Sequence, residues 1–474
     1  MTKLSSRTIR TETSKTLCLF FILSASAWGA VYIRWSTPEL PSASSLGVSD
    51  IVFDWKEGIS SQLAAARKQG YRVYVETPMQ QATAAANDAV KVGCTGVILE
   101  LPEPGNSDND ANVASLQHRY PKLRFLLLNA NGKPPDMRGS LIIKRDSVLQ
   151  VSSPTEQPWI DSNLVLVKVE QRSRPAQPPL YTFSWSDEGQ QKFRTADDYS
   201  LALGEAAAFH SDLILQLDGN LQQRLNNRDA EALALWSQVK VVLKFSNPTT
   251  ETGLEPAANV AVVVDHFDTS DEVLNLLGRH NIPYRVFVQT DLKAQEFKGF
   301  DILIVLAKLT KENAERVKSV ASGGPTVVVV DARGSYPWQD SQRIKVNEHT
   351  ASYVVGNGRI LELDETVSDP ETFAQDIRRM LGKRNSLLSL WNGLTTIAVP
   401  YRNRTGTVSL VELVNYAIDP VRLQVQVKGS FTSIRYESPE HGCCESLLPV
   451  NRDGFTEFVI PDLRIAGRVH LKSE

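Results

Sequence analysis

Four acidic residues end short apolar runs: Asp54 in VFDW, Glu76 in VYVETP, Glu100 in VILELPEP, and Asp218 after LILQL. An acid at the tip of an apolar strand sits where a pocket can open. Two carboxylates brought together can do acid–base chemistry, because mutual repulsion raises the pKa of one of them. Glu76 and Glu100 form the best such pair. The plain alternative is that these acids cap loops or pair with Lys144 and Arg145. Trp55 and Trp185 lie beside strand tips. An aromatic face there offers a wide apolar area to a sugar ring, or it plugs the mouth of the fold.

The elements that would carry these residues alternate. The periodicity predicts strands at 51–54, 71–76, 95–101, 123–129, 140–144, 148–152, 180–184 and 213–217. Amphipathic, often Ala-rich stretches lie between most of them, and 159–171 reads as a helix. Strands alternating with helices imply a parallel sheet, and eight of them predict a closed (β/α)8 TIM-type barrel over 50–247. The strands carrying Asp54, Glu76, Glu100 and Asp218 would then be contiguous around the barrel. Residues 258–385 predict a second α/β domain with a doubly wound sheet, its VAVVV run (260–264) being one buried strand. Gly323-Gly324 reads there as a helix stop, and Asp369-Pro370 as a helix start. From about 395 to 474 the period changes to alternation between turns, which predicts a β-sandwich.

The N-terminal segment reads as an address. Lys3, Arg7, Arg10 and Lys15 precede the uncharged stretch Thr16–Ile33, which holds a small-residue site at Ala25-Ser26-Ala27. This suits a signal peptide, or a membrane anchor with Trp28, Tyr32 and Trp35 as an interfacial belt. Residues 1–35 are assigned to it, and the Ser- and Pro-rich 36–49 to a linker. Either reading predicts an exported protein: periplasmic, secreted, or anchored to the outer face of the membrane through this segment alone.

Composition excludes several classes. The 474 residues carry 51 Lys+Arg against 54 Asp+Glu, a balance unlike that of a nucleic-acid binder. Four Cys are too few for a disulfide scaffold. No Cys lies between Cys94 and Cys443, which excludes a thiol nucleophile in the second domain. Cys443-Cys444 beside His441 read as structural. Asp265, His266 and Asp268 read as a surface loop rather than a metal site, so no metal and no cofactor are expected.

The domain order carries a resemblance. Val273–Phe287 (VLNLLGRHNIPYRVF), Phe300–Ala307 (FDILIVLA) and Ala321–Asp331 (ASGGPTVVVVD) resemble pieces of the flavodoxin-like trimerisation domain of certain β-galactosidases. Leu410–Val427 (LVELVNYAIDPVRLQVQV) resembles the C-terminal domain of many glycoside hydrolases. The resemblance implies a glycoside hydrolase-like barrel, a carbohydrate ligand and a possible homo-oligomer. It also implies an acid/base Glu after an Asn at the end of strand four, and a nucleophile Glu ending strand seven. Strand four ends Asn129-Ala130, keeping the Asn as a substrate-binding candidate but not the acid. Strand seven ends Phe183-Ser184-Trp185, with Asp187 and Glu188 beyond. The usual carboxylate pair is missing. Two functions follow: a hydrolase with a displaced set (Asp54, Glu76, Glu100, Asp218), or a non-catalytic carbohydrate-binding or assembly protein on a degenerate barrel.

Overall fold

The computed structural model describes residues 29–101, 107–138, 143–145, 148–150, 158–174, 177–185, 194–246, 253–265, 270–289 and 297–473. Seven parallel strands close a barrel: β1 (Val31–Arg34), β2 (Asp50–Asp54), β3 (Arg72–Pro78), β4 (Gly96–Glu100), β5 (Arg124–Asn129), β6 (Leu180–Thr182) and β7 (Asp212–Gln216). Their order around it is β1-β7-β6-β5-β4-β3-β2.

Two differences from the sequence expectation have a clear cause. The first is that Ile143–Arg145 and Val148–Gln150 pair with each other, antiparallel, outside the barrel. Parallel neighbours need a crossover of about a dozen residues or more, and only 146–147 separate these two. The barrel therefore passes from β5 straight to β6. Trp159–Asp161 is likewise a short strand on Asp136–Arg138, and the helix of this region begins only at Leu164.

The second difference lies at the other end of the chain. β1 comes from the stretch assigned to a leader or anchor. It pairs with β7 at Val31↔Leu213 through Arg34↔Gln216, and with β2 at Ile33↔Ile51. Tyr32 fills the barrel interior, and Trp35 is buried with its indole N–H on the Glu39 carbonyl at 2.8 Å. Neither is left for an interfacial belt, and Trp28 lies outside the described residues. The 36–49 segment is packed as well: its short helix Ala43–Leu46 is capped by Ser42, and the Leu46 carbonyl accepts from the Trp236 indole at 2.7 Å. Among the described residues no helix is long and apolar enough to cross a membrane.

Strand alternation sorts the side chains. Tyr32, Val52, Tyr74, Ile98, Leu128, Leu180 and Ile214 form one buried cluster inside the barrel. Their neighbours (Ile33, Ile51, Phe53, Val73, Val75, Val97, Leu99) face outward into the layer under the helices. Gly96 makes room for the Tyr74 ring, which a Cβ there would meet at 3.0 Å. The Ala-rich helix Ala82–Val92 buries Ala82, Ala85, Ala86 and Ala89, a 3.6-residue stripe whose small side chains let it lie close to the sheet.

The second sheet holds β8 (Val260–Val264), β9 (Tyr284–Val288), β10 (Ile302–Val305), β11 (Thr326–Val329), β12 (Arg343–Lys345), β13 (Thr350–Val355) and β14 (Gly358–Leu363). Its order is β9-β8-β10-β11-β14-β13-β12, parallel through β14, with β13 and β12 antiparallel at one edge. β8 is buried on both faces, which is why it reads as an unbroken apolar run. The helix Pro370–Asn385 starts on the Asp369 cap, as its sequence predicts.

The remaining strands form two antiparallel sheets packed over one apolar cluster. One sheet contains β15 (Leu388–Trp391), β18 (Val421–Lys428), β22 (Phe455–Leu463) and β21 (Val450–Arg452), in that order. The other contains β16 (Thr396–Arg402), β17 (Val408–Asn415), β23 (Ala466–Lys472), β19 (Ser433–Ser438) and β20 (Gly442–Leu447). This half is locked to the barrel through Glu205 on the helix Ala196–Ala208. Its carboxylate accepts from Tyr416 at 2.5 Å, Asn163 Nδ2 at 2.6 Å and Tyr181 at 3.3 Å. Burial pushes the Glu205 carboxyl up to about 7, although these donors pull it down.

Candidate active site at the barrel mouth

The inward rows that plug the barrel continue upward in polar residues. Two positions beyond Tyr32, Val52, Tyr74, Ile98, Leu180 and Ile214 stand Arg34, Asp54, Glu76, Glu100, Thr182 and Gln216. Period two therefore aims all six at the mouth. Three of the four candidate acids, Asp54, Glu76 and Glu100, belong to this ring, on adjacent strands.

A cation that the sequence reading did not consider sits among them. Arg34 grips Glu76 with two nitrogens: Nη2 donates to Oε1, and Nε to Oε2 at 3.1 Å. Its Nε also lies 3.6 Å from Asp54 Oδ1, and its Nη1 donates to Gln216 Oε1 at 3.2 Å. Glu76 is only 5% exposed. Burial pushes its carboxyl above the usual range. Arg34 opposes this, and the negative charges of Asp54 and Glu100 add to it. The side chain of Asp54 is 72% exposed. Glu100 is half-buried and has no hydrogen bond or ion pair among the described residues.

The acidic arc is thus interrupted. β1 stands between β7 and β2, so the strand preceding Asp218 does not adjoin that of Asp54. Asp218 caps the helix Gly219–Asn226, with Oδ1 accepting from the backbone of Asn220 at 2.7 Å and of Leu221 at 3.2 Å.

Two of the three substrate-binding candidates face other ways. Leu128 points inward, so Asn129 points outward: its Nδ2 donates to Glu170 at 2.9 Å, and Arg174 holds that carboxylate at 2.8 Å. The Trp55 indole donates to Asp88 on the neighbouring helix at 3.3 Å. Trp185 stays near the mouth. Its indole N–H donates to the Gln216 carbonyl at 3.0 Å, and its ring meets Phe183 and Tyr199 edge-on. Arg194 lies over that ring, 4.7 Å from its centre. Asp187 and Glu188, and likewise His266 and Asp268, lie outside the described residues. The side chains of Lys144 and Arg145 do too.

Among the described residues, two groups of side chains have donor atoms close enough for one ion. His349, Asp364 and Glu365 are exposed, and the His349 Nδ1 lies 3.2 Å from each carboxylate. In the other group, Glu437 with Cys443 and Cys444, the two sulfurs are bonded to each other.

No family model matches the sequence, and neither does any curated protein. Solved structures do. Alpha-L-fucosidase isoenzyme 2 from Paenibacillus thiaminolyticus is similar over 94% of this chain and 100% of its own, at 10% identity and a TM-score of 0.57. A GH42 beta-galactosidase from G. stearothermophilus is similar over 94% of this chain and 99% of its own, at 10% identity and a TM-score of 0.46. A rhamnosidase from Novosphingobium sp. PP1Y covers 88% of this chain with 39% of its own, at 12% identity and a TM-score of 0.45. At such identity the first likeness is one of fold alone, and the two weaker ones add nothing to it. The likeness that counts is thus to the fold of a fucosidase.

Proposed function

We propose that this chain is an exported glycoside hydrolase-like protein that takes a carbohydrate chain at the mouth of its barrel. The observation that carries the reading is the ring of Arg34, Asp54, Glu76, Glu100 and Gln216. These side chains are aimed at one opening above an apolar plug, on a fold shared with a fucosidase. In a hydrolytic reaction Glu76, buried and with its carboxyl held above the usual range by that burial, is the group to protonate the leaving glycosidic oxygen. Glu100, without a partner among the described residues, is the carboxylate to attack the sugar or to activate water. Trp185 is the aromatic group placed to border the sugar.

A second reading, binding without turnover, is favoured by one contact. Arg34 occupies both oxygens of Glu76, and Ala130 stands where the resemblance implies an acid. The test is a glycan panel screened for binding, followed by a search for released sugar. Hydrolysis that Glu100→Gln abolishes, with the melting temperature kept, supports the enzyme. Full activity in that variant removes Glu100 from the chemistry. Binding with no product supports the non-catalytic reading.

Export belongs to the same proposal. With Val31–Ile33 in the barrel, the apolar stretch left is Thr16–Ala30, short of the roughly 20 residues of a membrane span. That favours cleavage near Ala25-Ser26-Ala27. The strand order β9-β8-β10-β11-β14 supports a flavodoxin-like second domain, and a homo-oligomer through it rests on the resemblance alone.

A further inference from the structure

A wide groove that shares no lining residue with the barrel mouth lies where the helix Pro370–Asn385 faces the sheet β15-β18-β22-β21. It encloses about 1640 Å³. Pockets for single small ligands are typically about 300–1,000 Å³, so this one has room for several linked units.

Its floor and its wall differ in chemistry. The floor is the outward face of the sheet. Leu388, Leu423, Val425 and Val427 point into the sandwich core. Alternation therefore turns Ser389, Trp391, Gln424 and Gln426 outward, paired as Ser389↔Gln426 and Trp391↔Gln424. The next strand continues the row with Gln426↔Glu457, and Gln426 Nε2 donates to that carboxylate at 2.9 Å. Trp391 is 44% exposed, a large aromatic face open to water. The wall is basic: Arg378, Arg379, Lys383 and Arg384 come from the helix, and Arg452 joins from the sheet edge. Arg378 donates to the His280 carbonyl, and Arg379 pairs with Asp376. Lys383 and Arg384 are exposed and have no partner among the described residues.

We infer that this groove binds an acidic polysaccharide, a chain of pyranose rings carrying carboxylates. An aromatic face packs on a sugar ring, amides and a carboxylate meet its hydroxyls, and guanidinium and ammonium groups meet its acids. The groove also contains Asp453 and Glu457. Those two acids tolerate one negative charge per sugar, but they oppose the far denser charge of a nucleic acid, about one per 1.7 Å of duplex axis. The overall charge of -3 means that this basic wall is a local segregation of charge rather than a property of the whole surface. The site does not rest on the barrel-mouth reading.

The test is calorimetric titration of the full chain with polygalacturonate at low salt. A neutral galactan and single-stranded DNA serve as comparators. Polygalacturonate binds and weakens as salt rises. Lys383→Glu with Arg384→Glu costs about tenfold or more in affinity, since two attractions become repulsions. Trp391→Ala costs about fivefold. Should the charge-reversed variant not fold, the Trp391 variant and the salt dependence still decide. Absence of polygalacturonate binding, unchanged affinity in the variants, or DNA binding as tight and indifferent to Trp391→Ala overturns the inference.

Discussion

The two ends of the barrel carry similar residue types in opposite states. At the floor, the N-terminal end, Asp50 is held by Arg72 and by the Ser49 hydroxyl at 2.8 Å. Asp212 accepts from the Ala30 backbone N–H at 2.8 Å, and burial pushes its carboxyl up to about 7. Arg124 lies near Tyr32, Tyr74 and Asp212, and it lowers the pKa of all three. At the mouth, one pair, Arg34 with Glu76, is closed in the same way. Asp54 is exposed, and Glu100 has no partner among the described residues. A floor whose acids are bound serves the closure of the barrel. A mouth that leaves acids unspent has charge available to a ligand, as the placement of active sites at that end of such barrels leads one to expect.

The largest effect tests the one closed pair of the mouth. Arg34→Ala leaves a buried carboxylate without its cation, and the cost is about 3–5 kcal/mol of stability in denaturant unfolding. The double variant Arg34→Met with Glu76→Leu recovers most of that loss, because it is the orphaned charge rather than the missing bond that costs. A single variant as stable as the parent would mean that this pair does not hold the mouth, and the contrast between the ends would have to be redrawn.

The next effect belongs to the floor. The carboxyl of Asp212 is raised from 3.8 to about 7, so the folded state holds its proton more tightly than the unfolded chain does. The resulting stability is complete below pH 4 and is lost as the pH climbs through 7. Asp212→Asn removes that part of the slope, at most about 4 kcal/mol between the two limits. The slope due to Glu205, which has the same sign, remains. Melting temperatures measured from pH 4 to 8 on both proteins check this, and parallel curves would refute it. The smallest effect is at the open side of the mouth. Asp54→Asn changes stability by no more than about 0.5 kcal/mol, since the group it alters is already in water. Any loss of glycan binding in that variant then reports on the site and not on the fold.

Much of this was legible in the sequence. Asp54, Glu76 and Glu100 end apolar runs, and alternation alone puts each on the same face as the plug residue two positions earlier. The change of period after 395 marks the sandwich. Reading the runs at 140–144 and 148–152 as barrel strands is an error, since the three residues between them cannot carry a parallel crossover. Arg34 was not legible. It closes an apolar stretch whose length and flanks match a leader, and local pattern weighs those flanks the same whether the last four residues enter a membrane or a sheet. The signal available was that VYIR alternates as a barrel strand does, with Arg34 at the tip position that holds acids elsewhere. Asn129 and Trp55 were placed at the mouth on sequence position, and a single step of the two-residue period turns both toward the helices.

The sequence by itself determined which residues end strands and which face of each strand they share, because those follow from spacing along one chain. Only the tertiary structure decided that β1 fits between β7 and β2. That closure brings Arg34 onto Glu76 from 42 residues away and gives similar acids different charges. It also decided that the basic end of one helix lies over the exposed Trp391 sheet. Both are matters of which surfaces meet, and the energy that settles them is burial and charge pairing between segments distant in sequence.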